Sequence, residues 1–379
     1  MTRRIKVQHV IPTLDQSGAE KQLAMLAAGL PKDRFEVRVC ALTRGGFFES
    51  SLRDAGIPVD IIGKRLKIDP ATFLRLTRCI REFAPDIVHT WIFAANCYGR
   101  VAARWAKVPH VIASERCVDQ WKSKYHFAID RFLVTRTDAV VVNSYAVADF
   151  YREQGIPLEK IRVIPNAIEP IQEGKSSPSG LGQDDAKRKE ILEAMGIDPS
   201  ASVIALIGRL WPQKRVQDLL WATDVLRISG SKFVVLIIGD GPRRAALERF
   251  SRRLELDRIV HFLGHRKDVD HLLRHAIDVV VIPSEFEGMP NVAMEAMWAG
   301  RPVIATRIPG MDELVVDGVT GTLVEPKQPF LLAKAMAAFL TDREARLRMG
   351  EAGQRRVHQL FSPSTMITRY AQLYEECVV

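Results

Sequence analysis

Short runs rich in Val and Ile recur along the chain, separated by segments whose apolar residues return every three or four positions. In the first half the runs are IKVQHVI (5–11), FEVRVCAL (35–42), VDIIG (59–63), DIVHTW (86–91), HVIAS (110–114), DAVVVNS (138–144) and IRVIP (161–165). Nearly continuous apolar strands belong to parallel sheets covered on both faces. The segments between them, such as GAEKQLAMLAAGL and AANCYGRVAARWA, have the i, i+3, i+4, i+7 spacing of the covering helices. Residues 169–185 lose this periodicity and collect Gly, Ser, Pro and charge, so they read as a linker. The alternation then resumes with VIALIG (203–208), FVVLIIG (233–239), IVHFLG (259–264), DVVVIPS (278–284) and PVIAT (302–306). The pattern predicts an α/β protein of two tandem doubly wound domains, with the cleft between them as the expected site. The expected boundaries are 1–168 and 169–362, with a last helix at about 363–379.

A chain of 379 residues, 47% hydrophobic and 26% charged, has enough apolar material for two cores and is not a disordered chain. Its net charge of +9 favours anionic partners. Residues 1–165 hold 26 Lys and Arg against 17 Asp and Glu, while the remainder is balanced, so the excess belongs to the first domain. Five cysteines without a C-x-x-C pair, metal-ligand spacing or a secretory leader point to a reduced cytoplasmic setting. No apolar run is long enough to cross a bilayer, so any membrane association is expected to be peripheral.

Ligands of doubly wound sheets bind beyond the carboxyl ends of the strands. There, PSEFEGMPNVAMEAMWAG (283–300) places Glu287 in a loop, Gly288 and Pro290 in a turn, and Glu295 one turn into a helix. A helix start attracts phosphate, and an ionised carboxylate accepts hydrogen bonds from sugar hydroxyls. Glu295 also reads as an ordinary carboxylate near a helix N-terminus. GRLWPQKRV (208–216) puts Arg209 and Lys214 after a strand, where two cations can hold a diphosphate leaving group or simply face solvent. GDGPRRAALERF (239–250), with Pro242 expected to open a helix, lacks the third glycine of a dinucleotide fingerprint because Arg244 stands there, which disfavours hydride transfer. Asp268-Val-Asp270 is formally D-x-D, but it opens a helical pattern and reads as a helix cap. His271 and His275 lack a third ligand of known pattern, so no metal is expected.

Together, Glu287 to Glu295, Gly208-Arg209-x4-Lys214, Gly239-Asp-Gly-Pro242, VIPNAIE (163–169) and DGVTGTLVEP (317–326) resemble glycosyltransferase family 4 over nearly the whole chain. The resemblance implies the GT-B fold, two Rossmann-like domains facing a cleft with the last helix at about 363–379 packing back on the first, and retaining transfer of a hexose-type sugar from a nucleotide-diphosphate donor, UDP favoured and GDP possible. It also implies a lipid-linked or glycan acceptor, in cell-surface polysaccharide or glycolipid synthesis. By position, Glu287 is similar to the first and Glu295 to the second glutamate of the family's E-x7-E pair, on sugar and ribose. Gly288, Met289, Pro290 and Asn291 would contact sugar and phosphate through their backbone. Arg209, Lys214 and Gly18, the last in a Ser17-Gly18-Ala19-Glu20 loop, would hold the diphosphate, and Gly264, His265 and Arg266 would lie at the nucleobase.

On the acceptor side, PDIVHTW resembles the family's strand ending in His, which would make His89 the leading catalytic histidine, with a satisfied core histidine as the other reading. Asn96, Glu115 and Arg116 are further candidates, and Ser144 reads as a helix N-cap. An epimerase or hydrolase of the same fold is the alternative enzyme. The clusters Lys64/Arg65/Lys67 and Arg75/Arg78/Arg81 come without a nucleic-acid-binding module, so no nucleic-acid partner is expected. The basic first domain is instead expected either to rest on anionic lipid at the inner face of the membrane or to be a solvated face. The lipid reading uses Arg75, Arg78, Arg81, Arg100, Arg104 and Lys107 with Phe47, Phe48 and Trp121.

Overall fold

The computed structural model describes residues 3–66, 68–168 and 181–378. Lys67 and most of the expected linker lie outside them. The part of that linker that is described, from residue 181 onward, belongs to a helix, Leu181–Ala194, rather than to a loop. Its run of Ala, Lys, Arg and Glu is strongly helix-forming although it lacks an apolar stripe. Arg188 docks the helix by donating to Asp278 (2.9 Å) and to the carbonyl oxygens of Ala201 and Ala276.

Two compact units emerge: residues 1–167 together with 361–379, and residues 168–360. In the first, seven parallel strands stand in the order β3-β2-β1-β4-β5-β6-β7. They are β1 (Ile5–Thr13), β2 (Phe35–Arg44), β3 (Val59–Ile61), β4 (Ile87–Trp91), β5 (His110–Glu115), β6 (Ala139–Val142) and β7 (Ile161–Val163). The two-residue period of the strands divides their side chains between two cores. Val7, Ile11, Val37, Val39, Ile87 and Trp91 pack under the helices Gly18–Gly29 and Pro363–Val378. Val10, Cys40, Leu42 and Val88 face the helices Pro70–Phe83 and Ile92–Trp105.

The second unit has six parallel strands in the order β10-β9-β8-β11-β12-β13. They are β8 (Ser202–Ile207), β9 (Phe233–Ile238), β10 (Val260–Gly264), β11 (Val279–Ile282), β12 (Val303–Thr306) and β13 (Gly321–Val324). The edge strand β13 was not expected from the pattern: four residues opening on Gly and ending before Glu and Pro give too short an apolar run to register. Beyond β9 the helix begins at Arg244, so Pro242 sits in the preceding turn and not at the first helical position.

Candidate active site at the switch point of the second unit

The strand order of the second sheet reverses between β8 and β11, which pair in register with Val279 opposite Ile204. At such a switch point the loops leaving the two strands diverge and open a crevice. The loop after β8 carries Arg209 and Lys214, and the loop after β11 carries Glu287. The Glu285 amide donates to the Gln213 carbonyl (2.8 Å) and the Gln213 side chain to the Phe286 carbonyl (3.4 Å). With these backbone ties in place, Lys214 Nζ stands 2.5 Å from Glu287 Oε1. The pair is largely buried, with side-chain exposures of 20% and 9%, so solvent screens it less than a surface pair.

Neighbouring charges are consumed elsewhere. Arg215, left-handed at φ 50, forks onto Asp218 at 2.9 Å through two nitrogens. Glu285 pairs with Lys327, whose hydrogen bond holds the carboxyl below its ordinary range. Arg209, by contrast, forms no ion pair among the described residues; it is exposed and lies 6.0 Å from the Trp211 ring.

Two glycines let the loops approach closely. At Gly239 (φ +135) an added Cβ would sit 2.0 Å from the Gly208 carbonyl oxygen, and at Gly310 (φ +87) one would sit 2.0 Å from that of Gly288. A side chain at either position would push apart the loops that carry Lys214 and Glu287. Met289 and Pro290 are buried, and Asn291 opens the helix Asn291–Trp298, whose first turn has no side-chain cap and no acidic residue. Glu295, one turn on, is half-buried.

At the nucleobase position Gly264 ends β10, His265 is exposed, and Arg266 is held by Asp268 at 2.8 and 2.6 Å. Asp268 stands at the N-cap of the helix Val269–His275, as read from the sequence, but its carboxylate serves Arg266 and makes no cap hydrogen bond. Gly18 opens a helix of the first unit. The Ser17 hydroxyl bonds the buried Glu20 carboxylate, as does that of Thr13 at 3.2 Å.

The acceptor-side candidates fall on opposite faces of the first sheet. His89 is fully buried, with Nδ1 2.6 Å from the Tyr374 hydroxyl and Nε2 2.8 Å from that of Ser114. Burial, with His9 and Arg116 nearby, pushes its pKa well down, so it is a neutral core histidine. This geometry corrects the expectation that His89 faces substrate. On the same face Arg116 donates to Asn166 (2.6 Å) and Tyr370 (3.1 Å) and lies 5.0 Å from the Trp91 ring.

Asn96 and Glu115 occupy the other face. Asn96 accepts from Thr90 (2.7 Å) and donates to Glu115 (2.9 Å), which accepts from Lys122 (3.0 Å). Lys122 also reaches Asp130 (3.1 Å), itself paired with Arg100 at 2.5 Å. Burial pushes Glu115 up against the pull of Lys122, while Glu115, Asp130 and Asp119 outweigh the effect of burial on Lys122 and raise it. Sequence reasoning missed Lys122 and Asp130, which lie beyond the motif, although Asp130, a charge within the apolar pattern of the helix Lys124–Val134, was a signal.

The basic flank also changes. Arg100 is buried in that network, Arg78 pairs with Glu82, and Arg75 and Arg81 donate to carbonyl oxygens of Ile62, Gly63 and Trp105. Phe47 and Trp121 are exposed, whereas Phe48 packs partly against the core. Ser144 accepts from the Val147 amide as an N-cap.

Residues 16–171 match the family described as Glycosyltransferase Family 4, and residues 187–356 match Glycosyl transferases group 1. A D-inositol 3-phosphate glycosyltransferase of Corynebacterium efficiens is 31% identical over 357 residues, 92% of this chain and 78% of that protein. The chain is a family 4 glycosyltransferase. An Escherichia coli enzyme named UDP-Gal:alpha-D-GlcNAc-diphosphoundecaprenol alpha-1,3-galactosyltransferase is 28% identical to this glycosyltransferase over 85% of its length and 84% of that enzyme's. The crystal structure of Anabaena Alr3699/HepE in complex with UDP-glucose matches with a TM-score of 0.86 at 24% identity, covering 98% of this glycosyltransferase and all of that chain. That likeness establishes the GT-B fold.

Proposed function

We propose that this glycosyltransferase transfers a hexose from a UDP-sugar, with retention, to a lipid-linked or glycan acceptor in cell-surface polysaccharide or glycolipid synthesis. The observation that carries the reading is the buried Lys214–Glu287 contact at the switch point, beside an Arg209 with no ion-pair partner among the described residues. Two cations after β8 suit a diphosphate whose negative charge grows as the glycosidic bond breaks. Glu287, freed from Lys214 by the incoming donor, would accept from the sugar hydroxyls and Glu295 from the ribose. Gly18, Gly288, Met289, Pro290 and Asn291 would meet phosphate and sugar through their backbone, and Gly264, His265 and Arg266 would flank the base. The arrangement calls for no metal in the transfer step, since Arg209 and Lys214 supply the positive charge.

The UDP-glucose bound by the Anabaena neighbour and the UDP-Gal donor and diphosphoundecaprenol acceptor in the E. coli relative's name support donor and acceptor class. No described helix is long and apolar enough to cross a membrane. The lipid contact is assigned to a surface hollow of the first unit lined by Arg104, Trp105, Phe132 and Arg136, where Trp105 is 58% and Phe132 69% exposed. Neither arginine has an ion-pair partner among the described residues, so both remain available to anionic headgroups.

The first test is a thermal-shift screen of UDP-, GDP- and ADP-sugars followed by product analysis. Stabilisation by UDP-sugars and a glycosylated product of retained anomeric configuration are expected. Donor consumption without an acceptor would favour the epimerase or hydrolase instead.

A further inference from the structure

Among the described residues, Cys40, Asp60 and Cys79 bring three ligand atoms within 4.8 Å of one another, in the first unit and apart from every residue assigned above. The fold assembles them from distant parts of the chain. Cys40 on β2 and Asp60 on β3 are register partners, so their side chains leave the sheet on one face. Cys79 descends onto that face from the helix Pro70–Phe83. The three atoms form a nearly equilateral triangle: Cys40 Sγ to Cys79 Sγ 3.4 Å, Cys79 Sγ to Asp60 Oδ2 3.5 Å, and Cys40 Sγ to Asp60 Oδ2 3.9 Å. The in-plane point equidistant from all three is about 2.1 Å from each, and lifting it about 1 Å out of plane gives the ~2.3 Å of a zinc–thiolate bond.

A second, independent observation concerns Gln8. Its side chain is fully buried and lies against both sulfurs, Nε2 being 2.9 Å from Cys40 Sγ and 3.5 Å from Cys79 Sγ. Its amide oxygen, equally buried, has no hydrogen-bond partner among the described residues. A buried carbonyl oxygen without a partner is costly, and one turn of the amide would exchange oxygen and nitrogen, aiming the oxygen at the triangle. Two sulfurs and a carboxylate with an amide oxygen as fourth ligand suit a borderline-soft divalent ion. Cys79 is half-buried and the Asp60 side chain 40% exposed, which leaves the ion a way in.

We propose that Cys40, Asp60, Cys79 and Gln8 form a structural Zn²⁺ site that ties β1, β2, β3 and the helix Pro70–Phe83 together. Binding converts two thiols to thiolates and releases two protons. The site takes no part in sugar transfer, so it stands whether or not the proposed reaction does.

The test uses the reduced, full-length protein, stripped with a chelator and titrated anaerobically with Co²⁺. Thiolate-to-cobalt charge transfer in the near ultraviolet and d–d bands of tetrahedral intensity are expected, saturating at a single ion per chain and bleached by Zn²⁺. Cys79→Ser and Asp60→Asn should weaken binding about tenfold or more, while Cys117→Ser, outside the cluster, should not. If a variant fails to fold, the wild-type protein still decides: Zn²⁺ should slow alkylation of Cys40 and Cys79 and leave Cys117 unchanged. No charge-transfer band, equal Co²⁺ affinity in a folded Cys79→Ser variant, or a Cys40–Cys79 disulfide in air with no metal uptake after reduction would each overturn the proposal.

Discussion

Replacing Lys214 with Met keeps the side chain's length and removes its charge, so stability and catalysis can be separated. In the folded protein Glu287 would lose its partner at 2.5 Å while staying 9% exposed. Fully exposed pairs contribute about 0.2–1 kcal/mol and breaking a buried pair costs about 3–5 kcal/mol, so this partly screened one should cost about 1–2 kcal/mol. Most of that cost is the stranded carboxylate, and Lys214→Met/Glu287→Gln should therefore recover about 1 kcal/mol of it. Catalysis should not recover, because losing a group that stabilises the leaving diphosphate costs about 10²–10³ in kcat, or roughly 3–4 kcal/mol. Urea unfolding of the four proteins of the cycle and initial rates with the donor found by thermal shift supply both quantities. Parallel recovery of rate and stability in the double variant would refute the reasoning, since the pair would then be only a structural clamp.

Arg209→Ala, at an exposed residue without an ion pair among the described residues, should change unfolding free energy by no more than about 0.5 kcal/mol yet weaken UDP-sugar binding about tenfold, as isothermal titration would read. Gly310→Ala should destabilise by about 2 kcal/mol or more and lower turnover, because its φ of +87 disfavours a side chain and the new Cβ meets the Gly288 carbonyl at 2.0 Å; a thermal melt identical to wild type contradicts the close approach. Burial lowers the pKa of His9 from 6.5 to about 3, and Trp91 Nε1 donates to its Nδ1 at 3.1 Å. Between those values the unfolded chain binds a proton the native state refuses, so stability must fall as pH drops below 6.5, by about 2 kcal/mol at pH 5 from this residue. Urea midpoints between pH 8 and pH 5 should show that loss, with a shallower slope in His9→Leu; equal slopes would mean that His9 is protonated in the fold.

Why some of this was legible in the sequence and some was not follows from the range over which each signal acts. Strands buried on both faces announce themselves as apolar runs, which is why twelve of the thirteen described strands are visible and the four-residue β13, trimmed by Gly and Pro, is not. The residues proposed for the donor are brought together as the motif suggested because switch-point loops sit within a few residues of a strand's carboxyl end, where a linear motif can hold them. The acceptor side has no such locality. His89 is positioned by Tyr374, far along the chain on a helix that returns to the first unit, and a strand-end histidine looks the same in sequence whether or not its nitrogens are taken. Alternation along the strands also parts His89 from Thr90 and Ser114 from Glu115, and the helical Asn96 bonds Thr90 and Glu115 on the face away from His89.

The same range argument explains how a metal triangle can be hidden in five cysteines without short spacing. Cys40 meets Asp60 through strand pairing and Cys79 through a crossover helix, so the ligand set is written in topology and not in a motif. It applies to charge as well. The excess of nine belongs to the first 165 residues, yet Arg100 and Lys122 are spent inside the fold against Asp130, Glu115 and Asp119, and Arg3, Arg44, Arg53 and Arg78 are matched by carboxylates at its surface. What an anionic surface would feel is the remainder, and Arg104 and Arg136 beside exposed Trp105 and Phe132 are where cations and apolar rings coincide. Flotation with anionic liposomes should therefore be lost in Arg104→Glu/Arg136→Glu and kept in Arg78→Glu. Equal loss in both would mean that net charge, and not this hollow, governs the contact.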